Sequence, residues 1–351
     1  MRKWLLHIFC VGMWCMLTAS CSQIMDEPRN GQCDEPRKIV FTLALDAAAG
    51  SRATWGENES DPNAIIGTDW ENQIAPNQLQ VAFYNSNNAY LGKVENLTYF
   101  QTEQKNIYRF MGDVPETGVM GNNDKLDCKI MVFANIDEEI NENANLANLD
   151  FAFGENVELE NIPMWGIKKV NQTLRQGEWN ELGTIYLLRA VAKVEVSLDD
   201  NLSDEFELQR VTLNRYTTTG FTLPTGWNAE STDETTDLNT EDVLNFGTEV
   251  DETPLPFTEE NGKYIIYMPE YVNTDEQVTS SSNMTIFINN NEYPLEFKYY
   301  SEDKVGQAFD VVRNHYYEYI ITGVNEEVET SLVYTLKVRK YTTIENEVEF
   351  E

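Results

Sequence analysis

Ile185-Tyr-Leu-Leu-Arg-Ala-Val-Ala-Lys-Val-Glu-Val-Ser-Leu198 is the longest strand signal in the sequence. Tyr186, Leu188, Ala190, Ala192, Val194, Val196 and Leu198 recur with period two and make one uninterrupted apolar face. Arg189, Lys193 and Glu195 fall on the other face. Period two is strand geometry, because successive side chains of an extended chain point to opposite sides. The stretch exceeds the five or six residues of a common strand. A strand of this length can close one sheet and open the next, which places a domain boundary just before Ile185.

The same texture continues on both sides. Upstream, Leu79–Tyr84 alternates, breaks at Asn85–Asn88 and resumes through Tyr90 and Leu91, as a hairpin does. Ile107–Met111 is a short strand, and Leu126–Ala134 is apolar on both faces by its end, as a central strand is. One stretch reads as a short helix, Asp137 to Leu149, with Asp137 as N-cap, acids in the first turn, and Ile140 and Ala144 one turn apart. Asn161-Ile-Pro-Met-Trp-Gly166 reads as a turn plugging one end of a sandwich. Downstream, Phe206–Tyr216 carries a parity break near Arg210–Val211 that marks a bulge. Trp227–Gly262 has acids but no Lys or Arg and reads as a solvated insertion. Tyr264–Met268 is a strand, Met284–Phe297 a hairpin turning at Asn289–Asn291, and Arg313–Ile321 a further strand. The fold class is mostly β.

The chain of 351 residues has room for two domains. Its 59 acidic against 25 basic side chains, net −34, argue against nucleic acid and against an anionic membrane surface as partners. Residues 1–20 read as a leader: Arg2 and Lys3, then an apolar run from Trp4 to Leu17 that is too short for the roughly 20 residues of a spanning helix. Leu17-Thr-Ala-Ser-Cys21 resembles a bacterial lipoprotein signal, with Thr18 standing where leucine is usual, and Cys21 is the residue that would take lipid. Beyond it remain Cys33 and Cys128, a pair that could bridge in an exported protein, although Cys128 in its apolar strand reads as a small buried hydrophobe.

Catalytic signatures are few. Without the leader the chain has one histidine, His315, in an alternating strand among tyrosines, which is a packed position. A single histidine excludes histidine-rich metal sites and the HExxH helix, and a Ser-His-Asp triad would have to use it. There is no P-loop, no dinucleotide glycine fingerprint and no Asp-rich calcium loop. The sequence reads as non-enzymatic, with no cofactor, no metal and no catalytic residue.

Two terminal stretches stand out instead. In Lys38-Ile-Val-Phe-Thr-Leu-Ala-Leu45, residues Ile39, Phe41, Leu43 and Leu45 share a face. The strand runs into Asp46-Ala-Ala-Ala-Gly-Ser-Arg52-Ala53, small-residue chain with one basic residue, the composition of an exposed, cuttable linker. At the other end Leu332, Tyr334, Leu336 and Val338 share a parity, and so do Ile344, Val348 and Phe350. So apolar a C-terminal stretch calls for a partner.

Leu187–Val196 resembles the RAVAKVEV strand of the fimbrillin family, the pilins of Bacteroidales surface fimbriae. Met131–Asn135, Ile162–Gly166, Tyr267–Glu270, Val312–Tyr317 and Ser51–Thr54 match in the same order. The resemblance implies two transthyretin-like β-sandwich domains in tandem, 53–184 and 185–351, after a leader 1–20 and a removable segment 21–52. It implies export as a lipoprotein held at the outer membrane through Cys21, then cleavage between Arg52 and Ala53 by an Arg-specific extracellular protease. The emptied groove of Ile39, Phe41, Leu43 and Leu45 would then take the C-terminal strand, residues 332–351, of another copy or a related fimbrial subunit. Such a fimbria would support adhesion to a host or bacterial surface ligand. An anchor or tip subunit of the same fimbria is the alternative, and a third is a glycan-binding surface lipoprotein using Trp55, Trp70 and Trp227.

Overall fold

The computed structural model describes residues 36–45, 68–101, 107–115, 118–238, 243–274, 280–299, 306–325 and 331–340. The first nine strands are β1 (Lys38–Leu45), β2 (Leu79–Tyr84), β3 (Tyr90–Lys93), β4 (Glu95–Gln101), β5 (Ile107–Asp113), β6 (Lys125–Ala134), β7 (Asp150–Ala152), β8 (Met164–Thr173) and β9 (Trp179–Arg189). Eight of them form one sheet in the order β3-β2-β6-β8-β9-β1-β5-β4. β8 and β9 pair only through Met164↔Arg189 and Trp165↔Leu188, so the sheet folds over at that seam and its halves face each other. Gly166 permits the close approach: a Cβ built there would lie 2.3 Å from the Tyr186 carbonyl oxygen. The enclosed core takes Phe41 from β1, Phe83 from β2, Phe110 from β5, Ile130 from β6, Met164 from β8 and Ile185 from β9.

The remaining strands are β10 (Ala192–Leu198), β11 (Leu208–Leu213), β12 (Tyr216–Thr217), β13 (Thr219–Phe221), β14 (Val250–Asp251), β15 (Leu255–Pro256), β16 (Thr258–Glu260), β17 (Lys263–Met268), β18 (Asn283–Ile288), β19 (Asn291–Glu296), β20 (His315–Asn325) and β21 (Ser331–Lys340). A five-stranded sheet, β16-β17-β10-β20-β21, and a four-stranded one, β15-β11-β18-β19, enclose a second core around Val194, Ile286, Tyr293 and Tyr319. The expected bulge lies between Leu208 and Arg210, and the β18–β19 turn has Asn289 and Asn290 at φ 49° and 66°, the left-handed pair a two-residue hairpin loop requires. β13 returns to pair with β7 of the first half.

Three expectations are corrected. Residues 185–198 are two strands, not one. Ala190 and Val191 break the run, and the core served changes from the first at Val191 to the second at Ala192. The apolar face is therefore shared out: Leu188 packs outside the first sheet, while Ala192, Val194 and Val196 line the second core.

Asp137–Leu149 is not an α-helix; its regular part is a 3-10 turn, Leu146–Asn148. Asparagine side chains and a neighbouring strand take the backbone groups that a helix would use. Asn141 Oδ1 accepts from the Asn143 amide at 2.8 Å, and Gln80 Oε1 accepts from the Ile140 amide at 2.9 Å. Ile140 and Leu146 are buried on the outer face of β2 and β6, beside Tyr84, Met131 and Phe133. The acidic insertion is likewise no free loop. Leu238 and Val243 are buried in that same outer cluster, and the Thr235 hydroxyl accepts from the Ile167 amide at 2.8 Å. Acids on its solvent side hid the apolar residues that hold it down.

Candidate functional site

β1 is the element around which the first core closes. It runs antiparallel to β5, from Lys38↔Asp113 to Ala44↔Ile107, and parallel to β9, from Lys38↔Trp179 to Leu45↔Leu187. Alternation seats Ile39, Phe41, Leu43 and Leu45 inward, at 0–1% exposure. The Phe41 ring stacks on Phe110 at 5.6 Å, and Phe110 stacks on Tyr99 at 5.2 Å. Because β9 meets β8 only at its last two residues, β1 is the neighbour along the rest of β9. Withdrawing β1 would leave two strand edges and a channel of four side-chain sockets. Each is worth about 1.5–3 kcal/mol when filled by an apolar side chain, an upper estimate.

The start of the strand is clasped. Asn180 Nδ2 donates to the Lys38 carbonyl at 2.9 Å, and the Val114 amide donates to the Arg37 carbonyl at 2.9 Å. Arg37 pairs with Asp124, and the Lys38 ammonium stands 5.5 Å over the ring of Trp179, itself 53% exposed. At the other end the chain leaves β1 at Leu45. Arg52 and Ala53 lie outside the described residues, as do Cys21 and Cys33. Cys128 is a free thiol buried in β6, and burial pushes its pKa up to about 12.

β21 is an edge strand, paired along its length with β20. Leu332, Tyr334, Leu336 and Val338 lie half-buried against the second core, while Val333, Thr335 and Lys337 face solvent. Ile344, Val348 and Phe350 lie outside the described residues. The expected donor side chains are thus far less buried than those of β1.

Sequence reading missed a charged cluster where the two cores meet. Arg189, Lys193 and Glu195, placed above on the face opposite the apolar one, are 1%, 7% and 3% exposed. The loop after the linker covers them. Glu71, fully buried, accepts from Lys193 Nζ at 3.0 Å and from the Tyr267 hydroxyl at 2.5 Å. Arg189 donates to the Glu71 carbonyl at 3.0 Å, to Asn314 Oδ1 at 3.1 Å and to Asn72 Oδ1. Burial pushes the Glu71 carboxyl upward, but Lys193, Tyr267 and the Thr68 amide outweigh it and hold the group below the usual carboxylate range. The available signal was the presence of three charges in so apolar a stretch.

The tryptophans considered for sugar stacking turn toward protein. Trp70 packs on Tyr267 at 4.8 Å and donates to the Glu160 carbonyl, Trp227 packs on the outer cluster, and Trp55 is outside the described residues. His315 is buried in β20, its Nδ1 2.8 Å from the Arg313 carbonyl. Among the described residues no group of three His, Cys, Asp or Glu is placed to hold a metal, and no helix is long and apolar enough to cross a membrane.

No family model matches the sequence, and neither does any curated protein. Solved structures do match in fold. The tip fimbrial protein Mfa3 of Porphyromonas gingivalis, solved with a C-terminal truncation, aligns over 86% of this chain and 99% of its own at a TM-score of 0.52 and 14% identity. A candidate cell adhesion protein of Parabacteroides distasonis aligns over 89% and 99% at 0.50, also with 14% identity. The chain has the fold of the Bacteroidales fimbrial proteins, the fold that the fimbrillin-like motifs imply.

Proposed function

We propose that this chain is a structural subunit of a cell-surface fimbria that joins its neighbours by strand exchange. The observation that carries the reading is β1: a fully seated strand, flanked by two edges it alone satisfies and followed by a linker with a single basic residue at Arg52. An Arg-specific extracellular protease cuts there, the first strand leaves, and a C-terminal strand of another subunit fills the sockets. Backbone ladders to β5 and β9 give affinity, and the sockets give register. The precursor is exported as a lipoprotein and held at the outer membrane through lipid on Cys21. The mature chain is two tandem transthyretin-like sandwiches; the separate cores support a division at Val191–Ala192 rather than just before Ile185. Its role is assembly and adhesion rather than catalysis.

The test is Arg52→Ala in cells that make the protease. Surface filaments should be lost while the full-length precursor accumulates. Filaments at the normal level would sink the proposal. A second reading, an anchor that keeps its lipid and first strand, is favoured by the clasp on Arg37 and Lys38. Sequencing the N-terminus of the surface form separates them: Ala53 for the stalk, lipidated Cys21 for the anchor.

A further inference from the structure

An ion pair crosses the outside of β1. Arg109 of β5 donates to the Glu181 carboxylate of β9, although β1 separates those two strands in the sheet. Register fixes where the pair lies. Arg109 stands opposite Thr42 and Glu181 opposite Val40, so both share the face turned away from Phe41, Leu43 and the core. Neighbouring strands lie about 4.7–4.9 Å apart, which puts β5 about 10 Å from β9, so the two side chains meet over β1. Val40 points outward too, opposite Met111 and beside Glu181, yet it is only 7% exposed.

The way out for β1 is narrow. Its ladders to β5 and β9 bar it sideways, and the core bars it inward. Sliding along its own length would drive Phe41 into the socket of Leu43, and a packed core resists such misfits. The outward swing remains, and the ion pair stands across it. We propose that Arg109 and Glu181 form a latch over β1 that must open before the first strand can leave. The proposal rests on the reading that β1 is removable and adds a gate to its removal. Both side chains reach water, at 27% and 48% exposure, so the latch opens readily and weakens with salt. It slows the swing of a strand that ladders and sockets hold. Unlike the clasp on Arg37 and Lys38, whose basic side chains leave with β1, the latch belongs wholly to the part that stays.

The test is hydrogen exchange of Lys38–Leu45 in the full-length chain at low salt, read by mass spectrometry. Arg109→Gln and Glu181→Gln should each raise exchange in β1 by about two- to fivefold, the range an exposed pair allows. Exchange in β6 and in the second sheet pair should keep the parent rate. Glu181→Arg sets like charges across β1 and should raise its exchange further; adding Arg109→Glu should bring back the parent rate. Loss of packing by either side chain would not be repaired by that swap. Salt should speed exchange in the parent and leave the Gln variants unmoved. Parent-rate exchange in the variants, or a swap that restores nothing, overturns the latch. Removal itself is followed separately, by cutting at Arg52 and timing the loss of the first segment by size-exclusion chromatography. Faster loss from the Gln variants supports the latch, and equal rates overturn it while leaving removal standing. No loss from any chain, parent or variant, overturns removal and the latch together.

Discussion

Glu71 ties the loop behind the linker to the second half of the chain through one buried carboxylate. Replacing it with Gln removes the nearer counter-charge of the buried Lys193 ammonium and leaves Glu195 at 3.8 Å, so the cost falls below the roughly 3–5 kcal/mol of an uncompensated buried charge. The sign of the pH dependence follows from the lowered carboxyl. Its folded pKa lies below the ordinary 4.5, so the contribution is complete above that value and is lost as pH falls through the folded pKa. Urea unfolding at a series of pH values should show Glu71→Gln well below the parent at pH 7. The gap should narrow steadily below about pH 4.5; a constant gap would mean that the charge is not what matters. Alternation told which residues of 185–198 share a side. It did not tell that the charged side would be covered by Glu71 and Tyr267, because that cover comes from residues far away in sequence.

At the scale of elements, the seam at Gly166 decides whether β8 and β9 can meet. A methyl group there would press on the backbone oxygen of Tyr186, which cannot turn away as a side chain can. Gly166→Ala should therefore cost about 1–3 kcal/mol by overpacking, read as a lower urea midpoint. It should also raise hydrogen exchange in β9 and β1 before the second sheet pair responds; uniform loosening of both halves would count against the seam. The strands themselves were legible: the Asn289-Asn290 hairpin, the central strand ending at Ala134, the bulge near Arg210 and the inward face of β1 all stand where alternation placed them. The helix was not, because Asn141 and Gln80 compete for the amides between them. Nor were the neighbours of β1, since nothing within Lys38–Leu45 names β5 and β9 as its partners.

At the scale of the molecule, the net charge of −34 opposes every meeting of two copies. Raising ionic strength from about 0.01 M to 0.15 M shortens the screening length from about 30 Å to about 8 Å. Association of chains cut at Arg52, followed by light scattering, should speed up by about tenfold or more over that range. A rate indifferent to salt would show that the approaching surfaces do not carry the charge. The parallel pairing of β1 with β9 has a consequence in time. Lys38 and Trp179 are 141 positions apart (179 − 38), so the first strand has no complete seat until about half the chain has been delivered. Contacts of that sequence separation form late and make folding slow. Under the proposed export, a chain crossing N-terminus first would make its passage with the opening strand unseated, a delay that the order of its strands imposes.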